Sequence, residues 1–215
     1  MKKVLILNSS PSPKQSISTK LTSFFEQELI AMNGFNIITR DLGVTPPSHL
    51  TALALSGFFN DPSEHNEEQK QALQEGLSLI KELENADIVI IGAAMHNHTV
   101  TSGLKAYIDQ VTRPGLTFQY EADGPRGLLT NKQVFIIISA GGDYSSAETK
   151  KTDFVSPLLQ EVLGFIGLDD IQFIPVFGTY LGNEISDNNQ NIAKQSIIKA
   201  VKQLYQNASE KGGRS

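Results

Sequence analysis

Three short segments hold the residues best suited to chemistry. The first reads Asn8-Ser9-Ser10-Pro11-Ser12-Pro13-Lys14-Gln15-Ser16-Ile17-Ser18-Thr19, and a stretch of helical period follows it. A helix start leaves backbone N–H groups without intrahelical partners and carries partial positive charge, which suits a phosphate. Hydroxyls add donors with little bulk. Helix capping by Ser16 or Ser18 would account for one such residue, not for five serines. The segment contains neither Gly-x-x-x-x-Gly-Lys-Ser nor Gly-x-Gly-x-x-Gly. A single phosphate therefore fits better than a dinucleotide bound in the Rossmann manner.

The second segment, Gly92-Ala93-Ala94-Met95-His96-Asn97-His98-Thr99, follows an apolar run. Its small residues let a flat ring approach the backbone. Met95 can pack on an aromatic face, and Asn97 can donate and accept at a ring edge. A surface turn is the plain alternative. His96 and His98 also form His-x-His, but His49 and His65 are the only other histidines and no third ligand is suggested nearby. No metal site is expected. The third segment, Ser139-Ala140-Gly141-Gly142-Asp143-Tyr144, has paired glycines that permit close approach to a ligand. A turn explains them equally well in isolation.

These segments must be positioned by the elements around them. Val4 to Leu7, Ile88 to Ile91 and Val134 to Ile138 are continuous apolar runs, as expected for strands buried on both faces. Phe35 to Thr39 and Ile171 to Val176 supply two more strands, the latter at an edge because of Pro175. Helical spacing runs through Leu21, Phe25 and Leu29; through Leu73, Leu77, Ile80 and Leu83; through Leu104, Tyr107, Ile108 and Val111; through Val155, Leu159 and Val162; and through Ile198, Val201 and Leu204. Asp41 to Glu64 is irregular, hence functional or locally helical. Leu116 to Gly127 reads as an inserted hairpin with the turn signal Asp123-Gly124-Pro125. Alternating strands and helices imply an α/β three-layer sandwich: a five-stranded parallel sheet with helices on both faces. The commonest order is 2-1-3-4-5, and its ligand site lies at the carboxyl ends of the strands, where the order switches. All three chemical segments fall on that rim. One domain is expected over 1–207, with a flexible tail over 208–215.

Composition narrows the classes. The chain has 215 residues, 40% hydrophobic and 19% charged, with net charge −5. No basic run offers nucleic acid a foothold. There are no cysteines, which removes disulfides, thiolate metal sites and cysteine nucleophiles. The apolar run near the N-terminus is too short for a secretory signal or a membrane span, so a cytoplasmic location without membrane insertion is expected.

Several segments together resemble the FMN-dependent NADH azoreductases, also described as NADH:quinone oxidoreductases, of the flavodoxin-like superfamily. They are Asn8-Ser9-Ser10, Met95-x-Asn97, Leu104-Lys105-x-Tyr107-x-Asp109, Thr117-Phe118-x-Tyr120, Gly124-Pro125-x-Gly127-Leu128, Ser139-x-Gly141-Gly142 and Leu163-Gly164-Phe165-Ile166-Gly167. Each is weak alone; their order and spacing are specific. The resemblance implies one FMN per subunit in a homodimer, reduced by NADH or NADPH and reoxidised by a quinone or azo compound in alternating steps. It assigns Ser10, Ser16, Ile17 and Ser18 to the FMN phosphate end, and Met95, His96, Asn97 and His98 to the isoalloxazine ring. Ser139, Ala140, Gly141 and Gly142 go to the ring and ribityl region. Tyr120 and Phe165 match aromatic positions bordering the substrate site in a dimer. No catalytic side chain is implied beyond the flavin's own chemistry. The family commonly has Pro-Met-Tyr/Trp-Asn-Phe where this chain has Ala94-Met95-His96-Asn97-His98, so both flanking aromatics are histidine. Substrate stacking, flavin potential and pH dependence should therefore differ here. The alternatives are a flavodoxin-type electron carrier without NAD(P)H oxidation, and an α/β domain without flavin.

Overall fold

The continuous apolar runs form the middle of a parallel sheet. A computed structural model describes the backbone of residues 1–212 and the side chains of residues 1–206. The strands are β1 (Lys2–Asn8), β2 (Phe35–Asp41), β3 (Ile88–Ala94), β4 (Phe118–Glu121), β5 (Gly124–Gly127), β6 (Gln133–Ser139) and β7 (Asp170–Val176). Five of them lie in the order β2-β1-β3-β6-β7, every neighbouring pair parallel. With the β4–β5 hairpin set aside, this is the expected 2-1-3-4-5. The register pairs Asn8 with Asp41 and with Gly92, Ala94 with Ser139, and Ser139 with Val176. The carboxyl ends of all five strands thus share one rim.

Successive side chains of a strand point to opposite faces, and both faces here are covered. Val4, Ile6, Ile88, Ile90, Phe135 and Ile137 meet α1 (Ile17–Met32) and α6 (Asn183–Gly212) through Leu21, Phe25, Leu29, Ile197 and Val201. Leu5, Leu7, Val89, Ile91, Val134, Ile136 and Ile138 meet α3 (Glu67–Asn85), α4 (Ser102–Val111) and α5 (Val155–Phe165). The two halves of each apolar run therefore serve two separate cores, which is why the runs are unbroken. Phe25 is fully buried, with its ring edge-on to Phe135 at 5.3 Å. Truncating such a side chain to alanine typically costs about 3–5 kcal/mol.

The irregular segment after β2 is locally helical. It contains α2 (Ala52–Phe58) and a 3-10 turn, Pro62–Glu64. A capping box follows, in which Asn66 accepts from the Gln69 backbone and the Gln69 side chain accepts from the Asn66 backbone, starting α3. The hairpin forms where expected, but its turn residues are Ala122 and Asp123, because Gly124 already pairs with Glu121. Gly124 has φ +130°, which suits glycine there. β7 is an edge strand, as Pro175 implies. The expected tail over 208–215 overlaps the end of α6 and otherwise lies outside the described residues.

Candidate functional site

The serine-rich loop divides into a braced half and an open half. Ser9 braces: its N–H donates to the Gly92 carbonyl at 3.0 Å, its Oγ accepts from the Ala94 N–H at 3.1 Å, and its carbonyl accepts from Thr101 Oγ1 at 2.9 Å. Ser10 is buried and its Oγ accepts from the Ser12 N–H. Ser16 caps α1 from an extended backbone, and its Oγ accepts from the Thr19 N–H at 3.3 Å. The Lys20 N–H reaches the Ser16 carbonyl. Helix geometry leaves the amides of Ile17 and Ser18 without intrahelical partners. The Ser16 and Ser18 hydroxyls lie 3.0 Å apart. Thr19 Oγ1 is buried with no hydrogen-bond partner, and no acidic residue occupies the first turn. Free amides, clustered hydroxyls and an orphaned hydroxyl around a positive helix end fit one phosphate.

The second loop is a tight turn. His96 and Thr99 exchange backbone hydrogen bonds at 2.9 and 3.0 Å. Asn97 and His98 between them both have positive φ, 48° and 64°, as in a type I′ turn. Met95 is partly buried against the α3–α5 core, and its N–H donates to the Ser139 carbonyl at 2.9 Å. That bond ties the second loop to the third. In the third loop the Ala140 N–H meets the Val176 carbonyl, and the carbonyls of Ala140, Gly141 and Gly142 accept from Thr179, Tyr180 and Gly178. A β-carbon on Gly141 would lie 2.5 Å from the Tyr180 ring. The Asp143 carboxyl is held below its usual range by the Ser145 hydroxyl and N–H.

The structure brings Ser10, Ser16, Ile17, Ser18, Met95 to His98 and Ser139 to Gly142 to the same end of the sheet. Beside them a cleft of about 290 Å³ opens where Ser9 and Pro11 face Gly43, Pro46 and the second loop; of the expected site residues only His96 and Asn97 line it. Tyr120 and Phe165 are not brought to it within this chain. They cluster through Phe118, whose ring lies 5.4 Å from Tyr120 and 4.5 Å from Phe165, where the hairpin meets the end of α5. Tyr120 remains largely exposed.

Some contributors carry no sequence signal. The Leu42 N–H donates to the Asn8 carbonyl at 2.7 Å, pinning the β2–α2 loop onto the rim. Gly43 there lies against the backbone of Ser10 and Pro11, and Gly103 against the Leu42 carbonyl. The segment Phe177 to Tyr180 completes the third loop. Gly103 and Gly43, both without positive φ, could have been flagged only as unexplained glycines. Among the described residues no group of three or more His, Asp or Glu is placed to hold a metal ion, and no helix is long and apolar enough to cross a membrane.

Comparison with known proteins agrees with this architecture. A family model described as a flavodoxin-like fold matches residues 2–201. The chain is 41% identical over 197 residues to an FMN-dependent NADH:quinone oxidoreductase of Herminiimonas arsenicoxydans, covering 91% of this chain and 96% of that one. It is 36% identical over 202 residues to FMN-dependent NADH:quinone oxidoreductase 2 of Pseudomonas fluorescens, covering 94% and 100%. The FMN-dependent NADH-azoreductase of Bacillus anthracis, solved in complex with FMN, superposes with a TM-score of 0.85 at 23% identity, covering 95% and 100%. The chain thus belongs to the flavodoxin-like family of FMN-dependent NADH:quinone oxidoreductases.

Proposed function

We propose that this chain binds one FMN per subunit at the carboxyl rim of its sheet and works as a homodimeric NADH-dependent reductase of quinones and azo compounds. The observation that carries the reading is the phosphate cradle at the start of α1, with its two free amides and the unpartnered, buried Thr19 hydroxyl. When bound, FMN supplies the two-electron chemistry between a nicotinamide donor and an acceptor that follows it into the same place. The chain's own part is to hold and orient. Ser16, Ser18 and Thr19 with the Ile17 and Ser18 amides hold the phosphate. The turn Met95 to His98 and the small residues Ala140, Gly141 and Gly142 give a flat ring a close backbone seat. N–H groups on these loops stabilise negative charge that develops on a reduced ring. Tyr120 and Phe165, remote from the rim of their own chain, border the acceptor's place only from a partner subunit.

The test is an absorption spectrum of the purified protein with FMN, before and after anaerobic NADH. A flavin band that bleaches in one two-electron step supports the reading. A bound flavin indifferent to NADH would point to an electron carrier, and no bound flavin would refute the site. Parallel double-reciprocal lines support alternating occupancy; intersecting lines would reject it. A monomer under sedimentation would remove Tyr120 and Phe165 from the site.

A further inference from the structure

Arg40, Arg113 and Arg126 lie among the described residues, and they differ in what answers their charge. Arg40 meets Glu82 at two points, 2.9 and 2.6 Å. Arg126 reaches Glu121 at 3.1 Å on the surface. Arg113 is the most buried of the three, only 5% exposed, and forms no ion pair among the described residues. Its Nη1 is sealed from solvent and donates to nothing. Burial alone holds the guanidinium below its ordinary value, with no carboxylate close enough to raise it again. An arginine cannot shed its charge to escape burial, and buried charges are otherwise paired.

The residue is held firmly where α4 leads into the β4–β5 hairpin. Its N–H donates to Thr117 Oγ1 at 2.8 Å, and its carbonyl accepts from the Thr117 N–H at 3.0 Å. Its guanidinium carbon stands 4.6 Å from the centre of the Phe58 ring, at the end of α2. That ring answers the charge through one face, but it cannot serve the planar edge from which the N–H groups project. Two structural roles would leave other traces. An arginine capping a helix end donates to its last carbonyls, and a packing stem keeps its charged head in water; the sealed Nη1 does neither.

We infer that Arg113 anchors a binding site for the carboxylate of a small ligand with an apolar body. Of the guanidinium nitrogens only Nη1 is both sealed and unpartnered, so the Nε–Nη2 edge is the side a ligand reaches. That edge matches the two oxygens of one carboxylate through parallel N–H bonds. A single negative charge is neutralised in full there, whereas a phosphate dianion would bring uncompensated charge into the recess. The adjoining side chains suit an apolar body: Phe58 is partly buried, Leu55 is exposed one turn back on the same face of α2, and Pro114 follows Arg113. The site shares no residue with the FMN site proposed above and does not depend on it.

The experiment titrates benzoate, with inorganic phosphate for comparison, into the full-length protein saturated with FMN. Calorimetry reads binding and ¹⁵N NMR reads the Arg113 Nε–H. Benzoate should bind with a dissociation constant on the order of millimolar, move the Nε–H signal and leave the flavin band unchanged; phosphate should leave the signal where it is. Arg113→Met should lose about tenfold or more in benzoate affinity and keep the parent's FMN affinity. An Nε–H signal unmoved by benzoate, or benzoate affinity unchanged in Arg113→Met, would overturn the inference. If Arg113→Met sediments as a smaller species than the parent while benzoate leaves the parent unmoved, the carboxylate belongs to a second copy of the chain and the small-ligand site is rejected. Should Arg113→Met not fold, Arg113→Lys decides with the parent's NMR: it keeps the charge without the planar edge, and benzoate affinity equal to the parent's would reject the site. A protein that takes up no FMN would end the proposed function and leave this titration to be read on the apoprotein.

Discussion

Replacing Gly43 by alanine should weaken FMN binding about as much as it weakens the fold, two losses that separate assays can read. A β-carbon at Gly43 would lie 1.9 Å from the Ser10 carbonyl oxygen, 2.3 Å from its carbon and 2.8 Å from the Pro11 nitrogen. A carbon–oxygen contact needs roughly 3.3 Å, so the two backbones must part by about 1.4 Å. Neither side can yield cheaply. Leu42 is fully buried and bonded to Asn8, and the Gly43 and Val44 N–H groups both donate to Asp41 Oδ1 at 3.0 Å. Overpacking of this kind costs about 1–3 kcal/mol of stability. The displaced atoms belong to the loop that feeds the proposed phosphate cradle, and a misplacement near 1 Å can weaken a positioned interaction about a hundredfold. That corresponds to about 2.7 kcal/mol in the FMN dissociation constant. Fluorescence titration of the apoprotein with FMN reads the affinity, and urea unfolding reads the stability. Gly164→Ala is the control: in α5 its β-carbon would meet only Asp169 Oδ1, at an ordinary 3.5 Å, so it should add about 0.5–1 kcal/mol and leave FMN affinity unchanged. A folded Gly43→Ala protein with FMN affinity within threefold of the parent would show that the Ser10–Pro11 segment does not shape the site.

Thr19→Val removes a buried hydroxyl that has no partner without ligand. The apoprotein should be as stable or slightly more so, while FMN affinity falls about tenfold, read by thermal melts with and without FMN. Thr22→Val should do the reverse: Thr22 Oγ1 bonds Asn8 Oδ1 at 2.6 Å in a fully buried setting, and stranding that acceptor costs about 1–3 kcal/mol in urea unfolding. Burial, with a smaller contribution from Glu82, pushes the Tyr107 phenol well above its usual value, and its hydroxyl has no partner. The folded chain therefore keeps the phenol neutral where the unfolded chain ionises it. Stability from this group is complete below about pH 10 and falls above it by about 1.4 kcal/mol per pH unit. Tyr107→Phe should flatten that alkaline limb in pH-dependent unfolding; an unchanged limb would refute it.

The sheet is legible in the sequence because burial on both faces demands unbroken apolar runs, and β1, β3 and β6 have them. The hydroxyl-rich start of α1, where we propose that the phosphate sits, is legible because hydroxyls at a helix start have a local physical meaning. The seat formed by Leu42 and Gly43 is not, since it depends on the end of β2 meeting the end of β1 across the chain. Gly43 needs space rather than an unusual φ, and no neighbour in sequence reveals that. The left-handed Asn97 and His98 are likewise hidden, because a turn usually announces such backbone with glycine. The hairpin turn falls one residue early because Gly124 enters the strand. Tyr120 and Phe165 show the limit of reading one chain: their partner in this fold is Phe118.

The two outer strands of the sheet differ in what they offer another polypeptide. The Val176 carbonyl faces inward, accepting from Ala140, and backbone groups alternate sides along a strand. Pro175 therefore turns its nitrogen outward, where it has no hydrogen to donate. The β7 margin is interrupted at that point for any strand trying to dock. β2 has no proline, and its Ile38 is half exposed. Unwanted sheet extension in a crowded or partly unfolded population would thus begin at β2 and run in one direction only.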